Sequence, residues 1–229
     1  MKLLKTDGIV IKKVDHSEAD RMLTLFTKNF GKISININGI RKSKKRHLNG
    51  ADLFGISNFI FYKKDEHYIL SSFELNETFF NIRKDLEKLN ISFHILEILN
   101  SILIENETRI GLYKLLLNSF RFLNKNNNPI QNYLLLNYFL TIVIKEEGIM
   151  FQIEDGLYFN VENSIINDIP TCNKLTETQK IIISHIFDEK INDIISLNPC
   201  IDDIKNIISL LEGYINHHLS LKINFKNFF

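Results

Sequence analysis

The chain has 229 residues, of which 45% are hydrophobic and 24% charged, and its formal net charge is +1. This composition is typical of a globular protein that buries a core, and it argues against a disordered or fibrous chain. Two cysteines, Cys172 and Cys200, do not make a disulfide scaffold, and the first residues contain no apolar stretch of signal-peptide length. The most apolar run, residues 133–144, is shorter than the roughly 20 residues that span a bilayer. We therefore expect a cytoplasmic protein with reduced thiols.

Five short strands are predicted for the first 78 residues. Residues 32–38 alternate strictly, with isoleucines on one side and polar residues on the other, which is typical of a half-buried strand. Further runs rich in β-branched and aromatic residues predict strands at 8–14, 21–27, 56–62 and 68–75. Five strands in about 75 residues favour a small closed or partly open barrel, since closure removes exposed sheet edges. A five-stranded oligonucleotide-binding barrel (OB-fold) is the natural candidate.

From residue 79 the apolar residues recur at intervals of three and four, which predicts helices. The predicted helical stretches are 82–103, 108–124, 130–146, 176–187 and 201–222. Thr176 and Gln179 have the spacing of a capping box at a helix start. Residues 148–170 lack helical spacing and predict a short hairpin or an irregular insert. We expect an α+β chain in two parts, with a nucleic-acid-binding barrel at 1–78 and a helical domain at 79–229.

Charge is distributed very unevenly along the chain. Residues 1–50 contain twelve Lys or Arg and four acids, net +8, whereas residues 51–229 contain 16 bases and 23 acids, net −7. A positive segment on a globular protein attracts polyanions, and nucleic acid is the most abundant polyanion in a cell. This asymmetry is the main functional signal in the sequence.

The sharpest candidate site is a loop with five cations in six residues. They are Arg41, Lys42, Lys44, Lys45 and Arg46. Cations this dense repel one another and gain by facing phosphates. The pattern alone fits equally well a solvated loop that keeps the protein soluble.

Other cations of the predicted barrel could extend a phosphate-binding patch. They are Lys12, Lys13, Arg21, Lys28 and Lys32. Proteins that bind single strands usually add aromatic stacking platforms. The aromatic candidates are Phe26, Phe30, Phe54 and Tyr62, of which Phe26 and Phe54 lie in apolar contexts typical of a core. Phe30, in a turn beside Lys28 and Lys32, is the favoured stacking residue.

No catalytic set is visible in the sequence. It contains no glycine-rich phosphate loop, no G-x-S-x-G and no paired-histidine metal motif. His217 and His218 are adjacent, so on a helix they point about 100° apart and do not readily share a metal ion. We expect a protein that is not an enzyme and that needs no cofactor.

Several segments of the chain resemble the RecO family of bacterial recombination mediators. They are 8–10 (GIV), 18–21 (EADR), 23–27 (LTLFT), 31–33 (GKI), 38–44 (NGIRKSK) and 214–219 (YINHHL). The order of five strands followed by helices also fits that family. One departure is the four-cysteine zinc knuckle of many members: this chain has no C-x-x-C, and residues 148–170 occupy the corresponding region. We therefore expect no metal site.

The resemblance implies a role in DNA repair and recombination, in the RecF pathway, at the bacterial nucleoid. It implies binding of single- and double-stranded DNA, annealing of complementary strands, and loading of RecA together with RecR. It also implies recognition of the acidic tail of single-strand-binding protein, for which Arg109, Lys114 and Arg121 on a predicted helix are candidates. The main alternative is a helical protein-interaction adaptor whose barrel no longer binds nucleic acid. A metal-dependent nuclease is disfavoured because no ligand set is visible.

Overall fold

The computed structural model describes residues 2–15, 18, 20–39, 48–65 and 67–225, without the side chains of Leu48, Asn49 and Ile191. It contains a five-stranded sheet followed by helices, as the change of periodicity predicted. The fold is therefore α+β and has two parts. Among the described residues, no helix combines the length and the apolar character that crossing a membrane requires.

Five strands form a closed barrel in the order β1-β2-β3-β5-β4. Their bounds are β1 Leu3–Asp15, β2 Arg21–Thr27, β3 Gly31–Ile37, β4 Gly55–Lys64 and β5 His67–Thr78. All five predicted strands are present, and β1 begins earlier than the sequence indicated. Every pairing is antiparallel except that of β3 with β5, which is parallel and joins only Ile35 to Tyr68 and Asn36 to Ile69.

The alternation of β3 explains how the barrel core is filled. Ile33, Ile35 and Ile37 are at most 1% exposed and pack in the core with Phe59 and Phe61 of β4. The intervening residues of β3 point outwards and are half-buried. Side chains alternate across a strand, so one face of β3 seals the barrel and the other faces outwards.

Six α-helices lie in the described part of the chain. They are α1 Leu86–Ile102, α2 Ile110–Lys125, α3 Pro129–Glu146, α4 Glu177–Phe187, α5 Ile191–Ser196 and α6 Ile201–Leu219. The predicted capping box is confirmed, because the Gln179 amide donates to Thr176 Oγ1 at 3.1 Å and the Thr176 amide donates to Gln179 Oε1 at 3.0 Å. The sequence did not predict α5, since six residues are too few to show a period.

The predicted insert at 148–170 contains a small sheet rather than a simple hairpin. Its strands are β6 Gln152–Ile153, β7 Tyr158–Asn160 and β8 Ile165–Asn167, in the order β6-β8-β7. Phe159 and Ile166 are fully buried, and Phe151 packs on Phe159 with ring centroids 4.7 Å apart. Apolar alternation therefore gives this segment its own buried face.

The chain divides into two compact units, Met1–Asn124 and Lys125–Phe229. The first unit holds the barrel together with α1 and nearly all of α2. Aromatic contacts account for this grouping, since Phe26 of β2 meets Tyr113 of α2 edge-on at 5.6 Å and Phe54 meets Phe93 of α1 at 5.2 Å. A separate nucleic-acid-binding domain that ends at residue 78 stays a prediction.

Candidate nucleic-acid interface

The strand register places the predicted cations at two opposite ends of the barrel. One end, called here the loop end, is where Asp15 pairs with Arg21 and Arg21 with Ile37. The other, called the turn end, is where Thr27 pairs with Gly31. The seven residues of β3 separate the two ends by about 20 Å, at roughly 3.3 Å a residue. The predicted residues therefore do not share one patch, because Lys28 and Phe30 belong to the turn end.

The basic loop leaves β3 at the loop end. Arg41, Lys42, Lys44, Lys45 and Arg46 all lie outside the described residues. The chain enters the loop at Gly39, whose φ is +67° and whose amide donates to Asp20 Oδ1 at 2.8 Å. A hydrogen bond to Asp20, in the connection between β1 and β2, therefore fixes the backbone where the chain enters the loop.

Two of the cations at the loop end have carboxylate partners. Lys13 Nζ lies 2.5 Å from Asp52 Oδ1, and Arg21 Nε donates to Asp15 Oδ1 at 2.7 Å. Burial raises the pKa of Asp52, but hydrogen bonds from Lys13 and the Leu53 amide, together with the charges of Lys13 and Arg83, outweigh it and hold this pKa below its ordinary value. Lys12 is exposed on the outer face and has no ion pair within the described part of the chain. Of Lys12, Lys13 and Arg21, Lys12 is therefore the most available to bind a polyanion.

Lys32 is bound to the end of a helix. It lies on the outer side of β3, as the alternation predicted, but its Nζ donates to the carbonyls of Asn100 at 2.7 Å and Leu103 at 3.1 Å. These carbonyls belong to the last turn of α1 and its cap, where a cation is favoured. Burial is the largest cause of the lowered pKa of Lys32; the charge of Glu105 raises this pKa and that of Lys12 lowers it.

The aromatic candidates differ in how much ring they expose. Phe26 and Phe54 are buried beneath the helices, Phe26 against Tyr113 of α2 and Phe54 against Phe93 of α1. Phe30 is half-buried, and its ring meets Phe61 edge-on at 5.5 Å on the side of the barrel core. Tyr62 is half-buried on the outer face of β4. Of the four rings, Tyr62 is therefore the one on the outer surface of the barrel.

The predicted partner-binding residues are spread along α2 and the residue before it. Arg121 makes a two-pronged pair with Glu77, with Nη2 and Oε2 2.7 Å apart, and this hydrogen bond raises the pKa of Arg121. Arg109 lies 3.8 Å from Glu107. Lys114 is exposed and has no ion pair among the described residues.

Lys114 and Arg121 border a cleft of about 470 Å³ between α2 and the turn end of the barrel. Its apolar side is formed by Ile56, Ile110, Tyr113 and Leu117. Lys28 lines the same cleft, together with Asp7 and Glu77. Asp7 Oδ1 accepts bonds from the amides of Asn58 and Asn76, and Glu77 is paired with Arg121. Both carboxylates thus have internal partners, whereas Lys28 and Lys114 have none within the described residues.

Sequence reasoning missed the acidic partners of these cations. Asp52 lies 39 residues from Lys13, and Glu77 lies 44 residues from Arg121. No local pattern links residues so far apart, so only the fold pairs them. No cluster of three or more His, Cys, Asp or Glu within the described ranges could hold a metal ion.

Comparison with known proteins identifies the first part of the chain. Residues 1–79 match the family model described as recombination protein O, N-terminal. A DNA repair protein RecO from Acetivibrio thermocellus is 41% identical over 132 residues, which are 57% of this chain and 53% of that protein. A second, from Thermoanaerobacter sp. strain X514, is 38% identical over 121 residues, 53% of this chain and 49% of that protein. A third, from Alkaliphilus metalliredigens, is 32% identical over 132 residues, 58% and 54% respectively.

Each of these matches spans about half the length of the relative. The matches confirm the resemblance to the RecO family. The chain is thus similar to these RecO proteins over a little more than half of its length, and its residues 1–79 match the N-terminal model of the RecO family.

Proposed function

We propose that this chain is a non-enzymatic DNA-binding protein of recombinational DNA repair, and that its barrel is an oligonucleotide-binding fold. The observation that carries the proposal is the net charge of +8 on residues 1–50, in a barrel that belongs to the RecO family. The strand order β1-β2-β3-β5-β4 supports the fold assignment, since this arrangement is a closed five-stranded barrel. The relatives named DNA repair protein RecO support the cellular role.

The phosphate contacts are proposed to centre on the loop end of the barrel. The loop cations Arg41, Lys42, Lys44, Lys45 and Arg46 contribute most, and Lys12 adds a cation that has no acidic partner among the described residues. Lys13 and Arg21 contribute through their position beside the loop, although each must share its charge with a carboxylate. Lys28 and Phe30 lie at the turn end, so they would contact a DNA strand only if that strand extended along the barrel. Lys32 would have to break its hydrogen bonds to the end of α1 before it could bind a phosphate.

A cationic surface can promote annealing without bond chemistry. Two complementary strands repel each other through their phosphates, and a protein that binds both lowers this repulsion. We propose that the chain binds single- and double-stranded DNA in this way, and that it acts with RecR in loading RecA. Contacts to phosphates carry no sequence information, so binding should show little sequence preference.

The cleft beside α2 is proposed to receive the acidic tail of single-strand-binding protein. Its apolar side would hold an apolar side chain, while Lys28 and Lys114 would face carboxylates of the tail. Arg109 and Arg121 are less available, since each lies beside a glutamate. Lys114→Glu should then weaken binding of a fluorescent tail peptide about tenfold in an anisotropy titration. Unchanged peptide affinity would contradict this assignment.

The experiment that tests the DNA-binding proposal is charge reversal of the loop. Arg41→Glu, Lys44→Glu and Lys45→Glu together should abolish the gel shift of a single-stranded oligonucleotide at moderate salt. The matched control carries Lys84→Glu, Lys125→Glu and Lys174→Glu, which change the net charge equally but lie elsewhere. Loss of binding only in the loop variant supports the proposal. Equal binding by both variants, or no binding by the unaltered protein at low salt, contradicts it.

One observation favours the alternative function of a protein-interaction adaptor. Lys13, Arg21 and Arg121 each have a carboxylate within 2.7 Å, so part of the positive charge is neutralised internally. An adaptor would need its cations for internal pairing rather than for phosphates. It should bind the tail peptide with the same affinity in the loop variant and should not retain DNA at any salt concentration.

A further inference from the structure

A continuous row of partly exposed side chains runs across all five strands on the outside of the barrel. Each member pairs across strands with the next. This row, called here the outer row, consists in order of Leu3, Tyr62, Ile69, Asn36, Met22 and Val14. Leu3 is 61% exposed and Val14 39%, and the other four are half-buried. Five of the six are apolar or aromatic, which is unusual for the solvent side of a barrel.

Alternation along the strands fixes the outward direction of this row. Leu4, Phe61 and Leu70 are neighbours of Leu3, Tyr62 and Ile69 in the chain, and they pack in or against the barrel core. Successive side chains of a strand point to opposite faces, so the members of the outer row point away from the core. The row therefore forms a shallow apolar path that runs across the strands.

Cations lie on both sides of the outer row. Lys5 stands one cross-strand row to one side of it, opposite Ile60, and Lys12 and Lys64 stand one row to the other side, opposite Thr24 and His67. All three are exposed, and within the described residues none has an ion pair. Two residues of a strand span about 6.8 Å, so these ammonium groups can flank a ligand that lies along the row. The exposed Glu74 stands one row beyond that of Lys5, so an acidic side chain follows the cation on that side.

We infer that the outer row binds single-stranded nucleic acid, with Tyr62 as the base-stacking residue and Lys5, Lys12 and Lys64 on the backbone. This inference rests on the proposed DNA binding and assigns it to a sheet surface that includes Asn36, next to the last residue of β3. An apolar and aromatic path between cations that have no ion pair in the described part of the chain suits a strand whose bases are free to stack, because bases need a flat apolar surface and phosphates need cations. A duplex fits poorly, since its bases are stacked on each other and unavailable to Tyr62.

The test compares Tyr62→Ala with Tyr62→Phe in the full chain. Loss of one stacked base should weaken binding of an oligo-dT strand by about tenfold, within a range of roughly five- to a hundredfold. Tyr62→Phe keeps the ring and should bind as the unaltered protein does. Binding of a blunt duplex should change less than twofold in both variants. The matched control is Phe80→Ala, which removes a ring that is 56% exposed but lies outside the row.

A second experiment uses the unaltered protein, so its result does not depend on whether a variant folds. Ultraviolet crosslinking of an oligonucleotide that carries 5-iodouracil should attach it to Tyr62 in the unaltered protein. Lys5→Glu with Lys64→Glu should lower the affinity and make the salt dependence shallower, whereas Lys84→Glu should do neither.

The results distinguish failure of this inference from failure of the proposed function. If the unaltered protein binds the strand, but Tyr62→Ala binds equally well or crosslinks appear only elsewhere, then the outer row is not the binding surface. The inference would also be wrong if the outer row bound an acidic peptide while the lysine variants kept their DNA affinity. If the unaltered protein binds no DNA, the proposed function itself has failed.

Discussion

Gly31 has no room for a side chain. Its φ is +64°, and a Cβ added there would lie 1.8 Å from the carbonyl oxygen of Glu107. Gly31→Ala should therefore lower the free energy of unfolding by at least about 2 kcal/mol, because both the left-handed backbone and a backbone contact oppose it. Urea denaturation followed by circular dichroism would measure the loss.

Gly39 is the natural control for this prediction. Its φ of +67° is nearly the same, but nothing lies within 4 Å of an added Cβ. Gly39→Ala should lower the free energy of unfolding by only about 1 kcal/mol, because only the left-handed backbone conformation opposes the added side chain. Equal losses for both substitutions would show that the contact with Glu107 does not determine the residue at position 31.

Tyr113 should make the protein less stable at alkaline pH. Burial is the main cause that raises the pKa of Tyr113 from 10.0 to about 12, and the charge of Asp7 adds to it. Between pH 10 and 12 the unfolded chain loses the phenol proton while the folded chain keeps it, so stability falls as pH rises through this window. The loss should be about 2 kcal/mol, as expected for a shift of two pKa units.

Substitution Tyr113→Phe isolates this effect, because the other alkaline groups titrate equally in both proteins. The unfolding free energy of the unaltered protein, minus that of the variant, should fall by about 2 kcal/mol from pH 9.5 to 12. Urea unfolding at several pH values would measure it. A difference that stays constant across this range would mean that the Tyr113 hydroxyl titrates normally.

At the scale of the element, Lys32 joins a strand to the end of a helix. Its ammonium group donates to the carbonyls of Asn100 and Leu103 at 2.7 and 3.1 Å, and the amide of Asn106 donates back to the Lys32 carbonyl at 2.8 Å. The last turn of a helix has unpaired carbonyls that need donors. A residue of the barrel thus caps α1.

Lys32→Met should destabilise the protein by about 2 kcal/mol, because charged hydrogen bonds to these carbonyls are lost. Lys28→Met, in the exposed turn of the same barrel, should change the stability by less than about 0.5 kcal/mol. Thermal and urea unfolding of the two variants would test the difference. If Lys32→Met unfolds like the unaltered protein but loses DNA affinity, Lys32 contacts phosphate rather than capping the helix.

At the scale of the whole molecule, the segregated charge should make DNA binding strongly dependent on salt. If the five loop cations and Lys12 each meet one phosphate, the slope of log affinity against log salt should be about −4 for single strands. The remaining residues, 51–229, carry a net charge of −7 and so add a repulsive contribution overall. Anisotropy titrations between 50 and 200 mM salt would measure the slope, and a slope near zero would rule out a phosphate-based interface.

Local patterns predicted much of the fold. The alternation of Ile33, Ile35 and Ile37 indicated a strand with one buried face, and these residues are in the core. The spacing of Thr176 and Gln179 indicated the capping box that begins α4. Such features depend on residues two to four positions apart, so they can be recognised without a fold. The six-residue helix α5 was missed because it contains too few residues to show a period.

The sequence by itself determined which residues are charged, where strands give way to helices, and that the positive charge is concentrated in the first 50 residues. Only the tertiary structure decided that Lys28 and Arg21 lie at opposite ends of the barrel, that Lys13 is paired with Asp52, and that Lys32 caps α1. The physical reason is that strand register and long-range pairing join residues tens of positions apart, and no local periodicity encodes which of them meet.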